Sequence, residues 1–297
     1  MATITAERSE RDVSAITDGD EEQPRIKIRP ARPWGSLLNL AEVWEFRDLL
    51  LALATRDVKL RYRQTALGAA WVVVQPLIGA GIFSVVFGRV AKLPSDGVPY
   101  FLFSYAGLLA WTAFSSTLSK ASGSMVGNAN LISKIYFPRV ILPLSTVFST
   151  LIDFGVALVM MAVLMAVYHV TPHVGLLLMP VLLLLVLLLA SGVGLIAAAL
   201  AVSYRDIQYV LPVLTQFLLY GSPVAYGVSA VPAAVRPLYD LNPLAALLEA
   251  FRWSLLGTGG GPGLAARVGV AAAVSVAVFL GGVVVFRRME RRFADVI

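Results

Sequence analysis

The chain contains no cysteine and only two histidines, His169 and His173. The first absence excludes a disulfide scaffold and a thiolate metal site. The histidines stand four apart, a spacing at which one helix can offer both to a metal. Pro172 falls between them and no carboxylate lies nearby, so they are assigned to a short outer loop. Charge is scarce too. Asp, Glu, Lys and Arg make up 14% of the residues, against about 25% in soluble domains. There is no G-x-x-x-x-G-K-S/T stretch, so the chain cannot cradle nucleotide phosphates in the P-loop manner. Paired acids are missing from the apolar stretches, where Asp153 is the one carboxylate at depth. A membrane enzyme with two working carboxylates, or a carrier with several ionisable groups and an internal repeat, is therefore disfavoured. The first 30 residues lack the apolar core of a signal peptide and read as part of a polar cytoplasmic segment, disordered over 1–35.

Apolar sequence fills the space left by charge. The chain is 58% hydrophobic over 297 residues, which points to lipid as the solvent for much of its surface. A spanning helix needs about 20 mostly apolar residues. Six stretches qualify: 66–88, 100–119, 140–168, 176–202, 211–227 and 264–286. The fifth carries "YGSPVAYG" (220–227), whose Gly221 and Pro223 predict a break. The net charge is +6, yet residues 1–65 hold eleven basic and eleven acidic side chains. The excess lies in span-flanking loops and the tail, which is charge set by topology and not a nucleic-acid footprint. With both termini inside, the cytoplasmic flanks carry twelve Lys and Arg and the outer flanks five. Lys120 counts among the twelve, and Arg252 among the five. The expected fold class is an all-α integral membrane protein with both ends cytoplasmic. The membrane-embedded core is expected over 66–288, with a cytoplasmic tail at 289–297.

Two further segments read as helices that do not span. Residues 39–63, within an interfacial region at 36–65, place Leu40, Val43, Trp44, Leu50, Leu51, Ala54, Val58 and Tyr62 on one stripe. Phe46, Leu49, Leu53 and Leu60 form a second apolar flank. A helix at the membrane surface with one flank against protein suits both sets; a soluble helix hairpin suits the stripe alone. Residues 240–257 open on Asn242 as N-cap with Pro243 at the first helical position, and Gly257 can end them.

Three groups of residues are candidates for function. Asp153 can serve a proton relay, contact cargo, or simply hydrogen-bond between helices. Aromatics populate the first, second and fifth stretches, among them Trp71, Phe101, Tyr105, Trp111, Phe114, Phe217, Tyr220 and Tyr226. Aromatic faces can stack on sugar rings and make a low-specificity glycan track; the same residues also gather at membrane interfaces and in lipid-facing positions. Between the second and third stretches lies "NANLISKIYFPRV" (128–140). Asn128 or Asn130 can cap a short helix there, with Leu131, Ile132 and Ile135 as its apolar face and Lys134 free to bond a partner. Tyr136, Phe137 and Pro138 then pass directly into the next span. A coupling element to a cytosolic motor and a plain anchoring loop both fit.

Four stretches carry a family resemblance: "RDVKLRYRQTALGAAWVVVQPL" (56–77), "NANLISKIYFPRVILPLS" (128–145), "YRDI" (204–207) and "LNPL" (241–244). In this order and spacing they resemble the permease subunits of type 2 ABC transporters that export polysaccharides: O-antigen, capsule or teichoic-acid exporters. The resemblance covers roughly residues 38–290; Thr65 stands where the family often has Ser, and residues 1–35 find no counterpart. It implies a homodimer with six spans per subunit in a bacterial cytoplasmic membrane. Two cytosolic ATP-binding subunits would dock beneath, holding ATP and Mg, with no cofactor on this chain. Residues 128–137 would be the coupling helix, with Pro138, Arg139, Arg205 and Asp206 beside it. Residues 39–63 would be a gate helix, and 229–257 outer re-entrant helices. The cargo would be a glycan on undecaprenyl diphosphate. Arg56, Lys59, Arg61 and Arg63 are then candidates for contacting that diphosphate, or for positive-inside anchoring alone. A type 2 ABC permease for a drug or lipid is the alternative within the family; a secondary transporter stands outside it.

Overall fold

The computed structural model describes residues 40–63, 70–261, 263–290 and 293, with side chains described from residue 43 to 60 in the first stretch. All regular structure among the described residues is helical. Helices α1 (Leu40–Glu45) and α2 (Arg47–Arg63) meet at a turn on Phe46, so the single helix expected over 39–63 is broken there. Leu50, Leu53 and Ala54 of α2 are buried, while Trp44, Leu51 and Leu60 are exposed. The buried face thus mixes members of both expected apolar sets.

Helix α3 (Ala70–Phe83) carries Pro76 and continues into a π-helical turn at Ser84–Val90. Then come α4 (Tyr100–Gly127), the single turn α5 (Ala129–Ile132), α6 (Ile141–Val167) and α7 (Met179–Ser203), the last preceded by a 3-10 turn at Val174–Leu178. Helix α8 (Ile207–Gly221) leads to a 3-10 turn at Val228–Ala230, α9 (Arg236–Leu241), α10 (Pro243–Leu256) and α11 (Leu264–Glu290). Among the described residues, five helical runs are long and apolar enough to cross a membrane: 70–90, 100–127, 141–167, 174–203 and 264–290.

The fifth expected span differs. Helix α8 has 15 residues, short of the ~20 that a bilayer core needs. It stops at Gly221, inside the stretch where Gly221 and Pro223 predict a break, and Ser222 is already extended. Yet the route continues. Helix α8 starts one short turn after α7, while Tyr226 lies 6.5 Å, ring to ring, from Phe87 in the π-helical turn beyond α3. The loop after α8 thus reaches the turn that follows α3.

Helix α4 is the axis of the core and packs against α3, α6, α7 and α10. The larger buried cluster holds Tyr105, Trp111, Phe114, Phe154, Met161, Val186 and Phe251. A second cluster closes the other end, joining Leu50 and Leu53 of α2 to Met125, Phe137, Ile141, Leu195, Phe286 and Phe293. That end also carries Arg56, Lys134, Arg139, Arg205 and Arg287, and is called the basic end below. Helices α7 and α11 meet at Gly192 and Gly282. A Cβ on Gly282 would overlap the Gly192 carbonyl oxygen, so this close approach requires glycine. Helix α10 begins and ends as its sequence predicts: Asn242 accepts from the Leu244 amide at 3.0 Å, and Gly257 ends it at φ +72°.

Candidate functional site

The turn between α4 and α6 is the most exposed feature of the basic end. Tyr136 is 90% exposed and Ile135 54%; Asn130 and Lys134 are exposed as well. Phe137, the next residue, is 4% exposed and belongs to the basic-end cluster. A solvent-facing knob therefore stands directly on a buried anchor. Leu131 and Ile132 pack toward the same cluster and are not offered outward as a free apolar face. Asn128 occupies the N-cap position of α5 but makes no capping bond. Its Nδ2 donates to the Ser124 carbonyl at 2.8 Å, and its Oδ1 accepts from Arg56 Nη2 at 2.7 Å. At the trailing end the Arg139 amide donates to Glu290 Oε1, and Arg139 Nη1 to the Glu290 carbonyl, both at 3.2 Å. The Arg139 guanidinium also lies 5.9 Å from the Phe293 ring centre. Pro138 is half-buried between anchor and clamp. Arg205 and Asp206 stand exposed on the turn from α7 to α8.

The basic candidates on α2 divide. Lys59 is exposed. Arg56 is engaged, with Nη2 on Asp57 Oδ1 at 3.1 Å besides its bond to Asn128. The side chains of Arg61 and Arg63 lie outside the described residues.

Asp153 has an ionic partner that sequence reasoning had counted as a flanking charge. Lys120, seven residues inside the end of α4, places its ammonium 2.9 Å from Asp153 Oδ2, 3.0 Å from Ser149 Oγ and 3.5 Å from Thr150 Oγ1. Asp153 and both hydroxyls lie on one face of α6, so the pair braces the two helices that carry the turn. Tyr105 adds a second brace by donating to the Ala157 carbonyl at 3.0 Å.

At the opposite end, side chains hold the carbonyls of the loop after α8. Arg252 of α10, 1% exposed, donates through Nη2 to the carbonyls of Pro223 (2.7 Å) and Val224 (2.9 Å), and through Nη1 to that of Tyr226 (3.5 Å). The Tyr100 hydroxyl donates to the carbonyl between them, Ala225, at 2.8 Å. Four consecutive carbonyls are thus satisfied without a helix, as buried irregular backbone requires. The Arg252 guanidinium also lies 4.0 Å from the Phe103 ring centre. Burial pulls its pKa down to about 10, opposed by Glu249, Asp96 and Tyr100, so it stays charged at neutral pH. Gly107 makes room: a Cβ there would overlap the Val224 carbonyl and crowd Arg252 Nη2. Sequence reasoning missed this clasp. The available signal was an arginine in the apolar run "EAFRWSLL", opposite a broken helix with spare carbonyls.

The aromatic candidates do not form one surface. Tyr105, Trp111 and Phe114 are buried in the core, at 0%, 6% and 3% exposure, and line no surface of the protomer. They point to different sides of α4, which is covered on most of its circumference by α3, α6, α7 and α10. Trp71, Phe217 and Tyr220 are exposed, and Phe101 and Tyr226 are half-buried. Tyr226 links ring to ring with Phe87 and with Tyr239, whose hydroxyl lies 2.6 Å from its own.

Comparison with known proteins follows this geometry. The profile of the ABC-2 type transporter family matches residues 48–256. The chain is 30% identical over 213 residues to an O-antigen export system permease protein RfbA of Myxococcus xanthus, covering 71% of this chain and 81% of that protein. It is 26% identical over 251 residues to an RfbA of Klebsiella pneumoniae, covering 84% and 95%. It is 26% identical over 217 residues to the polysialic acid transport protein KpsM of Escherichia coli, covering 69% and 80%.

Proposed function

Because this chain belongs to the ABC-2 type transporter family, we propose that it is the multi-pass membrane permease of an ATP-driven polysaccharide exporter. The family implies an ATP-binding partner subunit, and the relatives named for O-antigen export extend over most of the chain. The observation that carries the mechanism is the knob on its anchor: exposed Ile135 and Tyr136 backed by buried Phe137. A partner cleft that grips the knob moves Phe137, which belongs to the cluster joining α2, α6, α7 and α11. Residues 128–139 are thus the coupling element, with Arg205 and Asp206 on the neighbouring turn.

The permease is a homodimer in the bacterial cytoplasmic membrane, with its basic end and both termini in the cytosol. Residues 207–226 make the sixth crossing, in which α8 and the side-chain-held loop replace one full-length helix. The cargo is a glycan on a lipid diphosphate, and Lys59 with Arg61 and Arg63 meets its phosphates. Its path lies along the faces of α3 and α8, where Trp71, Phe217 and Tyr220 are exposed. Their rings give a smooth apolar track for sugar faces while hydroxyls stay wet. ATP and Mg reside on the partner, two copies per dimer.

The test is reconstitution in vesicles. The chain with its ATP-binding subunit should translocate lipid-linked glycan when ATP is supplied, and the chain alone should move none. Tyr136→Ala or Pro138→Ala should leave insertion intact and uncouple hydrolysis from export. Glycan movement by the chain alone, or labelling of a cysteine at 136 from the extracytoplasmic side, would overturn the reading.

A further inference from the structure

We propose that Arg56 is a positioning residue that ties α2 to the leading end of the coupling turn, and not a ligand of the cargo's phosphates. This rests on the coupling role given to residues 128–139. The tie spans 72 residues of sequence: Arg56 Nη2 donates to Asn128 Oδ1 at 2.7 Å. Both ends are pre-set. Asp57 Oδ1 accepts from Arg56 Nε at 3.3 Å and from Nη2 at 3.1 Å. Asn128 Nδ2 is spent on the Ser124 carbonyl, which turns its oxygen toward the guanidinium. The Nε–Nη2 edge that a bidentate phosphate would take is already occupied, and the Asp57 carboxylate there repels an anion. The trailing end of the turn is held in a parallel way by Arg139 on Glu290 at the end of α11. The turn is therefore fastened at each end to a helix outside its own hairpin. Helix α2 is seated by buried Leu50, Leu53 and Ala54, so it follows the turn as a body. A pull on the knob reaches α2 through Arg56 without first passing through the core.

The experiment uses the assembled complex with its ATP-binding subunit in vesicles and reads glycan exported per ATP hydrolysed. Arg56→Ala and Asn128→Ala should each lower that ratio about tenfold, the scale of one charge-assisted hydrogen bond. The double variant should be no worse than either. An Arg56→Ala loss with parental Asn128→Ala would mean that Arg56 serves an anion, and multiplying losses would mean that the two act separately; either result overturns the tie. Because the chain has no cysteine, cysteines placed at 56 and 128 can be bridged by a bifunctional thiol reagent of arginine length. Bridging should restore coupling with no cation at 56. Failure to cross-link in membranes overturns the tie whatever the transport activity, whereas loss of export by the parental complex bears only on the permease reading.

Discussion

Replacing Arg252 by Met is the sharpest test of how the loop after α8 is built. The guanidinium's own desolvation cost is of the same order as its hydrogen-bond and cation–π gains, about several kcal/mol each, so these roughly cancel when it is removed. What does not cancel is left on the loop. The carbonyls of Pro223 and Val224, bonded at 2.7 and 2.9 Å in the parent, lose their partner in a site where Val224 is wholly buried. Each orphaned acceptor costs about 1–3 kcal/mol, so about 4 kcal/mol is expected. At about 2–4 °C per kcal/mol for a chain of this size, the melting temperature should fall by roughly 10 °C. Arg252→Lys keeps a charge but not the fork, and should fall about half as far. The assay is thermal unfolding in detergent, paired with limited proteolysis across 221–231, which should become cleavable first. A methionine variant that melts within about 2 °C of the parent, with the loop still protected, would refute the clasp.

Gly107→Ala attacks the same contact from α4, crowding both the Val224 carbonyl and Arg252, and should open the loop to protease. Lys120→Met and Asp153→Leu should each destabilise by about 1–3 kcal/mol through the charge-assisted hydrogen bonds lost between α4 and α6, and the double variant should fall short of the sum in the same melting assay. Phe137→Ala should cost about 3–5 kcal/mol as a core truncation. Tyr136→Ala should leave stability unchanged and weaken pull-down of the ATP-binding subunit, a contrast that equal melting shifts in the two variants would contradict.

Much of the architecture was legible because hydropathy, caps and breakers act over a few residues. Five long apolar runs became helices of spanning length, and Asn242, Pro243 and Gly257 bounded α10 as their types require. "YGSPVAYG" contained the end of α8 for the same local reason. The knob in 128–140 was visible as polar and Pro-stopped sequence. The assignments that shifted all depended on a second element. Lys120 reads as a flanking charge until α6 brings Asp153 and Ser149 to it. Asn128 reads as a cap until α2 supplies Arg56. Tyr105, Trp111 and Phe114 read as a track until α6, α7 and α10 close over them.

Which segments are apolar enough to meet lipid, and where α8 and α10 stop, were set by the sequence alone, through the cost of leaving apolar side chains in water or backbone groups unbonded. Which charge meets which acceptor was decided only by packing. Arg252 and Pro223 lie 29 residues apart, and Arg56 and Asn128 lie 72 apart. At such separations no local propensity selects a partner, and the pairing exists only once the helices between them have taken their places.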